Sequence, residues 1–398
     1  MKTKIIIIAG FVVAVGLVLL LSMRGKEGSG SDAPAAAGSA APIAADKPAQ
    51  VTEISMLYGT EKQEWIEAAA ADFQKEHPEI KLVLKGKGSI DAAQAIVDGA
   101  EKPTVFSPAD SLIQNLLAAD WQAKNKTELF STSGEDQPQP LVITPLVFVI
   151  WEDRAQALLK EAGGSVTWAA IHKAVSSNKG WPAVGGQAAW GFVKLGHTDP
   201  TRSNSGLQAL LLMTLEHTKK TSGLTVGDLL DPKYQAHIKE IEKGVARFET
   251  STGTFMTDMI RFGPSKYDVA VVYENLAVSQ IANAQGRWGS LKVYYPATTL
   301  WSDHPAGILN AEWVTPAQRQ AARTWISYLR SRPVQEKALG YGFRPADPSV
   351  PLKTANANNP FTRLAEHGVK IDIPPVAQTP DGQVIRNLMM MWSRVVAR

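Results

Sequence analysis

From residue 51 onward the chain alternates short apolar, β-branched runs with amphipathic helical ones, and few folds accept that alternation. Glu53–Tyr58 reads as a strand ending at Gly59-Thr60. Trp65, Ala69 and Phe73 then recur on one helical face as far as His77-Pro78. Ile80–Leu84 alternates as a second strand, Gly86–Ser89 is a turn, and Ile90–Val97 is helical. Thr104–Phe106 is a third strand, followed by Ser107-Pro108-Ala109-Asp110 and a helix through Leu117. Strands separated by helices indicate a parallel sheet covered on both faces. Leu141–Trp151 is almost wholly apolar and reads as a buried strand. A second set of strand–helix units runs from there to about residue 290, with strands at Trp190–Leu195 and Asp268–Tyr273. Lys292–Pro296 is a further strand, Thr315–Ser331 a helix with Pro316 in its first turn, and Val384–Val396 an amphipathic tail helix. The expected fold class is α/β in two lobes, each a mainly parallel sheet flanked by helices.

The N-terminus is different in kind. Lys2 and Lys4 precede Ile5–Met23, a run without charge. Its length approaches the ~20 apolar residues of a membrane-crossing helix and exceeds the ~7–15 of a signal-peptide core. We therefore expect an uncleaved signal anchor over 1–23, with a cleaved signal as the alternative. Residues 24–50 are rich in Gly, Ser, Ala and Pro and form a flexible linker. The folded part would then lie on the extracytoplasmic side of the cell membrane, as a single-pass protein.

The strand-end loops carry the chemistry. In open α/β sheets ligands bind beyond the carboxyl ends of the strands. Here those loops are Gly59-Thr60, Gly88-Ser89, Ser107-Pro108, Thr198 to Gly206, and Tyr273-Glu274-Asn275. Four of the five carry Ser or Thr, whose hydroxyls donate to oxyanions or pair with sugars. The central loop leads from an expected strand into a helical pattern through Leu207, Leu210, Leu211 and Leu215. Ser203, Asn204 and Ser205 are all good helix caps, more than one helix start needs, and Gly206 would let a ligand approach the backbone. Unpaired amides and the helix dipole suit an anion or a hydroxylated ligand there. The bland alternative is an ordinary capped helix.

Several classes are excluded. The chain has no cysteine, so disulfides, thiolate metal sites, a cysteine nucleophile and an N-terminal lipidated cysteine are ruled out. A net charge of +3 without a basic, aromatic-studded stripe argues against nucleic acid. The histidines are scattered, so no metal site and no cofactor is expected. Ser203 stands where a hydrolase elbow around Ser205 would need glycine, and no phosphate-binding fingerprint occurs. Trp301 is either a cleft residue or a packed loop anchor.

Leu57-Tyr58-Gly59-Thr60-Glu61-Lys62, Gly88-Ser89, Val105 to Asp110, Asp199 to Gly206, Val271 to Glu274 and Gly342-Phe343-Arg344-Pro345 occur in an order that resembles one family. That family is the type 2 periplasmic binding proteins, the solute-binding proteins of bacterial ABC importers, nearest their sulfate-, molybdate- and iron-binding branch. The resemblance spans about residues 52–350. It implies that two lobes close over a small ligand, without catalysis. Gly59, Thr60, Ser89 and Ser107 would face the ligand from one lobe. Thr198, Asp199, Ser203, Asn204, Ser205, Tyr273 and Glu274 would face it from the other. It implies residues 51–147 with 291–398 as lobe 1 and 148–290 as lobe 2, hinged near Leu141–Trp151 and Asn275–Tyr295. Ile90-Asp91 follows Gly88-Ser89 where the molybdate-type loop would continue Ser-Gly, and the added carboxylates disfavour a bare dianion. The partners implied are the small-molecule ligand and an ABC permease or another membrane protein. The alternative is a membrane-anchored receptor or interaction protein that keeps the fold without transport.

Overall fold

The structure is a computed structural model that describes residues 51–396 apart from 355 and 357. The anchor expected over 1–23 and the linker over 24–50 lie outside the described residues. Among the described residues, no helix is long and apolar enough to cross a membrane.

Two sheets form the framework. In the first, β1 (Thr52–Tyr58) lies between β2 (Ile80–Gly86) and β3 (Val105–Ser107), parallel to both. Tyr58 stands opposite both Gly86 and Ser107, so the three strands end in line and their loops open at one edge. The edge is completed by β4 (Gln139–Pro140) and β10 (Pro305–Ile308), with β10 antiparallel to both β3 and β4. The second sheet is built on β5 (Val142–Trp151), buried over almost its whole length. Its partners β7 (Val269–Tyr273), β8 (Leu291–Tyr294), β9 (Trp301–Ser302) and β11 (Arg344–Pro345) all run antiparallel to it. Among the described strands of this sheet, β6 (Leu195–Gly196) pairs with β7 in parallel.

The second sheet therefore corrects the expectation of a mainly parallel one. Its long strand is the segment by which the chain enters from the first sheet, and it is not linked to its neighbours by the right-handed helical crossovers that make strands parallel. A second correction concerns Trp190–Leu195. Gly191 sits at φ 68° and Phe192 is 66% exposed, so only Leu195 and Gly196 remain to pair.

The chain passes between the sheets at Leu141 and again at Asp303-His304. The two passages lie side by side, with the Leu141 amide donating to the His304 carbonyl at 3.2 Å. His304 takes φ 43°, a conformation that non-glycine residues adopt only when their surroundings hold them in it. A third passage precedes β11. The first sheet is covered by the helices Gln63–Glu76 and Pro316–Arg330, which meet at Phe73 and Trp325 with ring centroids 4.9 Å apart. In the second, Phe148 of β5 packs on Trp168 at 4.9 Å. The C-terminal helix Gly382–Val396 touches helices of both: Arg386 pairs with Asp120 at 2.8 Å, and Trp392 Nε1 donates to Glu242 Oε1 at 2.6 Å.

The helix Asn204–Thr218 is pressed into the second sheet, buried from Asn204 through Leu215. A Cβ on Gly206 would lie 2.1 Å from the Thr198 carbonyl oxygen, so glycine serves helix-to-loop packing here and not the approach of a ligand. Gly206→Ala should cost more than ~2 kcal/mol, because a backbone atom cannot step aside as a flexible side chain can. Urea unfolding checks this, and a variant as stable as the parent would contradict the packing.

Candidate ligand site between the two sheets

The aligned strand ends of the first sheet supply one wall. The turn after β1 is held beside β3 by Gly59 N donating to Ser107 O at 3.0 Å. Glu61 folds back against Gly59, whose missing Cβ leaves the space. Glu61 and Lys62 are both buried and paired at 2.9 Å. The Lys62 ammonium also donates to Pro108 O at 3.1 Å and faces His304 Nδ1 at 3.2 Å, which uses all three of its N–H groups. Ser89 opens the helix Ser89–Asp98 and accepts from Ala109 N at 3.0 Å. Asp110 caps the helix Ser111–Asn125 through Leu112 N at 2.7 Å.

The second wall is a hydroxyl chain. Thr198 Oγ1 meets Ser205 Oγ at 2.8 Å, and Ser205 Oγ meets Thr252 Oγ1 at 2.7 Å. Ser203 Oγ reaches the same Thr252 hydroxyl at 3.4 Å and makes no side-chain cap to its own helix. Asn204 Nδ2 donates to the Tyr273 hydroxyl at 2.9 Å.

Direct bonds join the walls. Gln208 Nε2 donates to Asp110 Oδ2 at 2.8 Å and to Ser302 Oγ at 2.9 Å. Asn275 Nδ2 donates to Glu61 O at 3.0 Å, and Gly253 N to Thr60 Oγ1 at 3.4 Å. At the rim Arg202 Nη2 pairs with Asp91 Oδ2 at 2.7 Å. Gly88 is pinched where the walls touch, since a Cβ there would lie 2.6 Å from Thr250 O. A cavity of about 370 Å³ opens along this seam, lined by Thr60, Glu64, Gly253, Thr254, Asn275 and Phe343.

Nine of the sequence-derived candidates thus meet at or beside the seam, and two are engaged elsewhere. Glu274 is fully buried and held by Arg344, Nε to Oε2 at 2.7 Å and Nη2 to Oε1 at 2.8 Å, with the Tyr295 hydroxyl as a third partner. That ion pair ties β7 to β11 and leaves the carboxylate no free face. Asp199 closes its own turn, accepting from Thr201 N at 2.8 Å and Thr201 Oγ1 at 2.7 Å. Lys62, Asp110, Gln208, Thr252 and His304 were not among the residues expected to face a ligand, and Asn275 was named only as part of its loop. The run Thr250-Ser251-Thr252-Gly253-Thr254, which opens the helix Thr252–Phe262, repeats the hydroxyl-then-glycine pattern of the central loop and could have signalled Thr252. Gln208 and His304 carry no local signal.

The electrostatics are uneven. Burial pushes the Glu61 carboxyl up, but Lys62 and His304 outweigh it and hold the group at about 2. Burial, and then the Lys62 ammonium, bring His304 down to about 4, so its imidazole is neutral. Burial and the neighbouring Asp303 carboxylate push Asp110 up to about 7, against the bonds from Leu112 N and Gln208. Five buried polar side-chain atoms of this one cluster have no partner: Ser107 Oγ, Asn204 Oδ1, Gln208 Oε1, Asn275 Oδ1 and His304 Nε2. Buried polar atoms in folded proteins are nearly always satisfied, so a concentration of exceptions marks a place where water or a ligand completes the bonding. Elsewhere, His172 and His217, scattered in sequence, both pack at a tilt against His237, with centroids 4.2 and 4.5 Å from it. Among the described residues, no group of side chains is placed to hold a metal ion.

A family profile described as bacterial extracellular solute-binding protein matches residues 54–344. The fold is similar to that of a sulfate-binding protein from Mycobacterium tuberculosis, at 15% identity, covering 86% of this chain and 98% of that one, with TM-score 0.53. It is similar to a periplasmic thiamin binding protein at 12% identity, covering 87% and 96%, with TM-score 0.60. A periplasmic binding protein from Actinobacillus pleuropneumoniae with exogenous fructose-6-phosphate bound is 14% identical, covering 87% and 98%, with TM-score 0.55. At these identities the likeness is one of fold. A search of curated proteins returns no match.

The Asp110 environment has a pH consequence. A carboxyl whose folded pKa is raised stabilises the folded state relative to its ionised form only while it keeps its proton. Its contribution is full below the unfolded value near 4 and is lost as pH rises through about 7. Asp110→Asn keeps the helix cap without the titration. The stability difference, variant minus parent, should therefore grow from pH 4 to pH 7 by on the order of a few kcal/mol. Chemical unfolding of both proteins across that range checks it, and a flat difference would contradict the environment described.

Proposed function

The chain belongs to the bacterial extracellular solute-binding proteins, and from that premise we propose that it captures one small polar solute in the seam between its sheets. Members of the family are binding proteins of ABC importers and not enzymes, they work outside the cytoplasm, and their partners are a small molecule and a permease. The observation that carries the reading is the gathering of five unpartnered buried polar atoms at the seam, where bonds across it are few enough to exchange for bonds to a ligand.

The lobes expected from the sequence were 51–147 with 291–398, and 148–290. We draw the boundary instead at the two adjacent passages, Leu141 and Asp303-His304, and treat them as the hinge about which the seam opens. Ile5–Met23 holds the protein in the membrane and residues 24–50 tether it. An anchored receptor without transport is the second reading, favoured by that charge-free run in a chain that has no cysteine for a lipid.

Calorimetric titration with sulfate, thiamin and fructose-6-phosphate tests the seam directly. For whichever solute binds, Ser203→Ala combined with Ser205→Ala should weaken binding roughly ten- to a few-hundred-fold, at ~0.5–1.5 kcal/mol per lost bond. Thr225→Ala, which removes the exposed cap of the helix Val226–Leu229, should leave affinity unchanged. Equal affinity in the two variants would put the ligand elsewhere. The anchor has its own test: the full-length chain should fractionate with membranes and keep residues 1–23, and a mature start near Pro42 would contradict it.

A further inference from the structure

We propose that the solute of this seam is an organic cation bearing N–H donors, an ammonium or amidinium compound, and not an inorganic oxyanion; this rests on the seam being the binding site. Among the described residues around it, every cation already faces a carboxylate. Lys62 has spent its three donors on Glu61, Pro108 and His304. Arg202 is turned to Asp91 at the rim, and Arg344 to Glu274. Amides at three helix amino ends beside the seam are also answered, although the helix Asn204–Thr218 has no side-chain cap. Asp91 N donates to Arg202 O, Gly253 N to Thr60 Oγ1, and Leu112 N to Asp110.

The carboxyl side is not balanced in the same way. Asp110 is buried and bonded by two N–H donors, Leu112 N and Gln208 Nε2, with no cation beside it. Asp303, which raises it, is held by Ser111 N at 2.8 Å and the Ser111 hydroxyl. Among the described residues, the Asp110 carboxyl thus has no cation bonded to it, since Lys62 is taken by Glu61 and Arg202 by Asp91.

Most of the unpartnered atoms are acceptors, although His304 Nε2 carries the imidazole proton, because Nδ1 accepts from Lys62, and the Ser107 hydroxyl can donate. Three of the five, Asn204 Oδ1, Gln208 Oε1 and Asn275 Oδ1, are amide oxygens, which only accept. Two of these orientations are fixed by their surroundings. Asn275 Nδ2 meets Glu61 O and Gln208 Nε2 meets Trp301 O at 3.2 Å, both carbonyls, so turning either amide would set oxygen against oxygen. An oxyanion offers acceptors to these three amide oxygens. A cation with N–H groups satisfies the amide oxygens and balances Asp110 together, and in a water-poor seam both effects are strengthened.

The test is a thermal-shift and calorimetry panel on the full-length chain. Its probes are sulfate, molybdate and phosphate as oxyanions, glucose as a neutral donor, agmatine, spermidine and thiamin as N–H cations, and tetramethylammonium as a cation without N–H. At least one N–H cation should raise the unfolding temperature, while tetramethylammonium and the oxyanions should not. Asp110→Asn should weaken that cation at least tenfold, and Asn275→Ala, which removes an acceptor from a different helix, should weaken it too if the first variant does not fold. Binding of an oxyanion or glucose, unchanged or tightened by Asp110→Asn, overturns the ligand class. If that binding is lost on replacing Ser203 and Ser205, the seam itself stands and only the class fails. A panel in which no N–H cation binds overturns the inference, and one in which nothing binds counts against the seam as well.

Discussion

Glu61 and Lys62 are neighbours in sequence, buried side by side, and His304 lies against both at the point where the chain crosses between the sheets. A buried ion pair adds little net stability, but removing one partner costs ~3–5 kcal/mol, so the pair acts as a geometric constraint. It fixes the turn after β1, which positions Thr60 and the Glu61 carbonyl against the second wall. Through His304 it also fixes the crossing strand, which Leu141 N then joins to the other crossing. Tyr273 and Phe343 pack on the His304 ring at 5.8 and 5.3 Å, extending the constraint to the second sheet and to the approach to β11. The seam, the proposed hinge and the polar cluster share this one junction.

The second sheet has its own buried pair, Arg344 with Glu274, which clamps β11 to the end of β7. The two pairs behave differently toward a ligand. Arg344 takes both carboxylate oxygens of Glu274 and also donates to the Ile371 and Lys370 carbonyls, so the group is closed. The first pair is surrounded by unpartnered amides and by Asp110, which has no cation. Uncompensated polarity therefore lies on one side of the molecule's interior, and it coincides with the place where the two halves meet.

Much of the fold was legible because the periodicities are strong. The run through Val142–Trp151 could only be a buried strand, and Trp65, Ala69 and Phe73 defined a helical face that the structure places on the first sheet. The direction of β5 was not legible. Periodicity reports which face of a strand is buried, and says nothing of which neighbour it pairs with or in which sense. For the site, hydroxyl-rich loops after strands led to Thr198, Ser203 and Ser205 because cap chemistry is local. Gln208 and His304 could not be found in that way. Gln208 sits a turn inside a helix, and His304 acts through a crossing strand whose position depends on the whole topology. Glu274 read as a cleft carboxylate because it follows β7, and its partner Arg344 is seventy residues away.

The central claim is that two lobes open and close across the polar seam about the crossings at Leu141 and His304. The chain has no native cysteine, so a single introduced pair can report the distance between lobes. Spin labels at Gln94 and Lys233, exposed positions on helices of the first and second lobe, measured by double electron–electron resonance, test it most directly. The account predicts a distance distribution with a longer component in the ligand-free protein. That component should grow when Asn275→Ala and Arg202→Ala remove bonds across the seam. A single narrow distance, unchanged by those substitutions, would mean that the sheets form one rigid body, and would contradict the account.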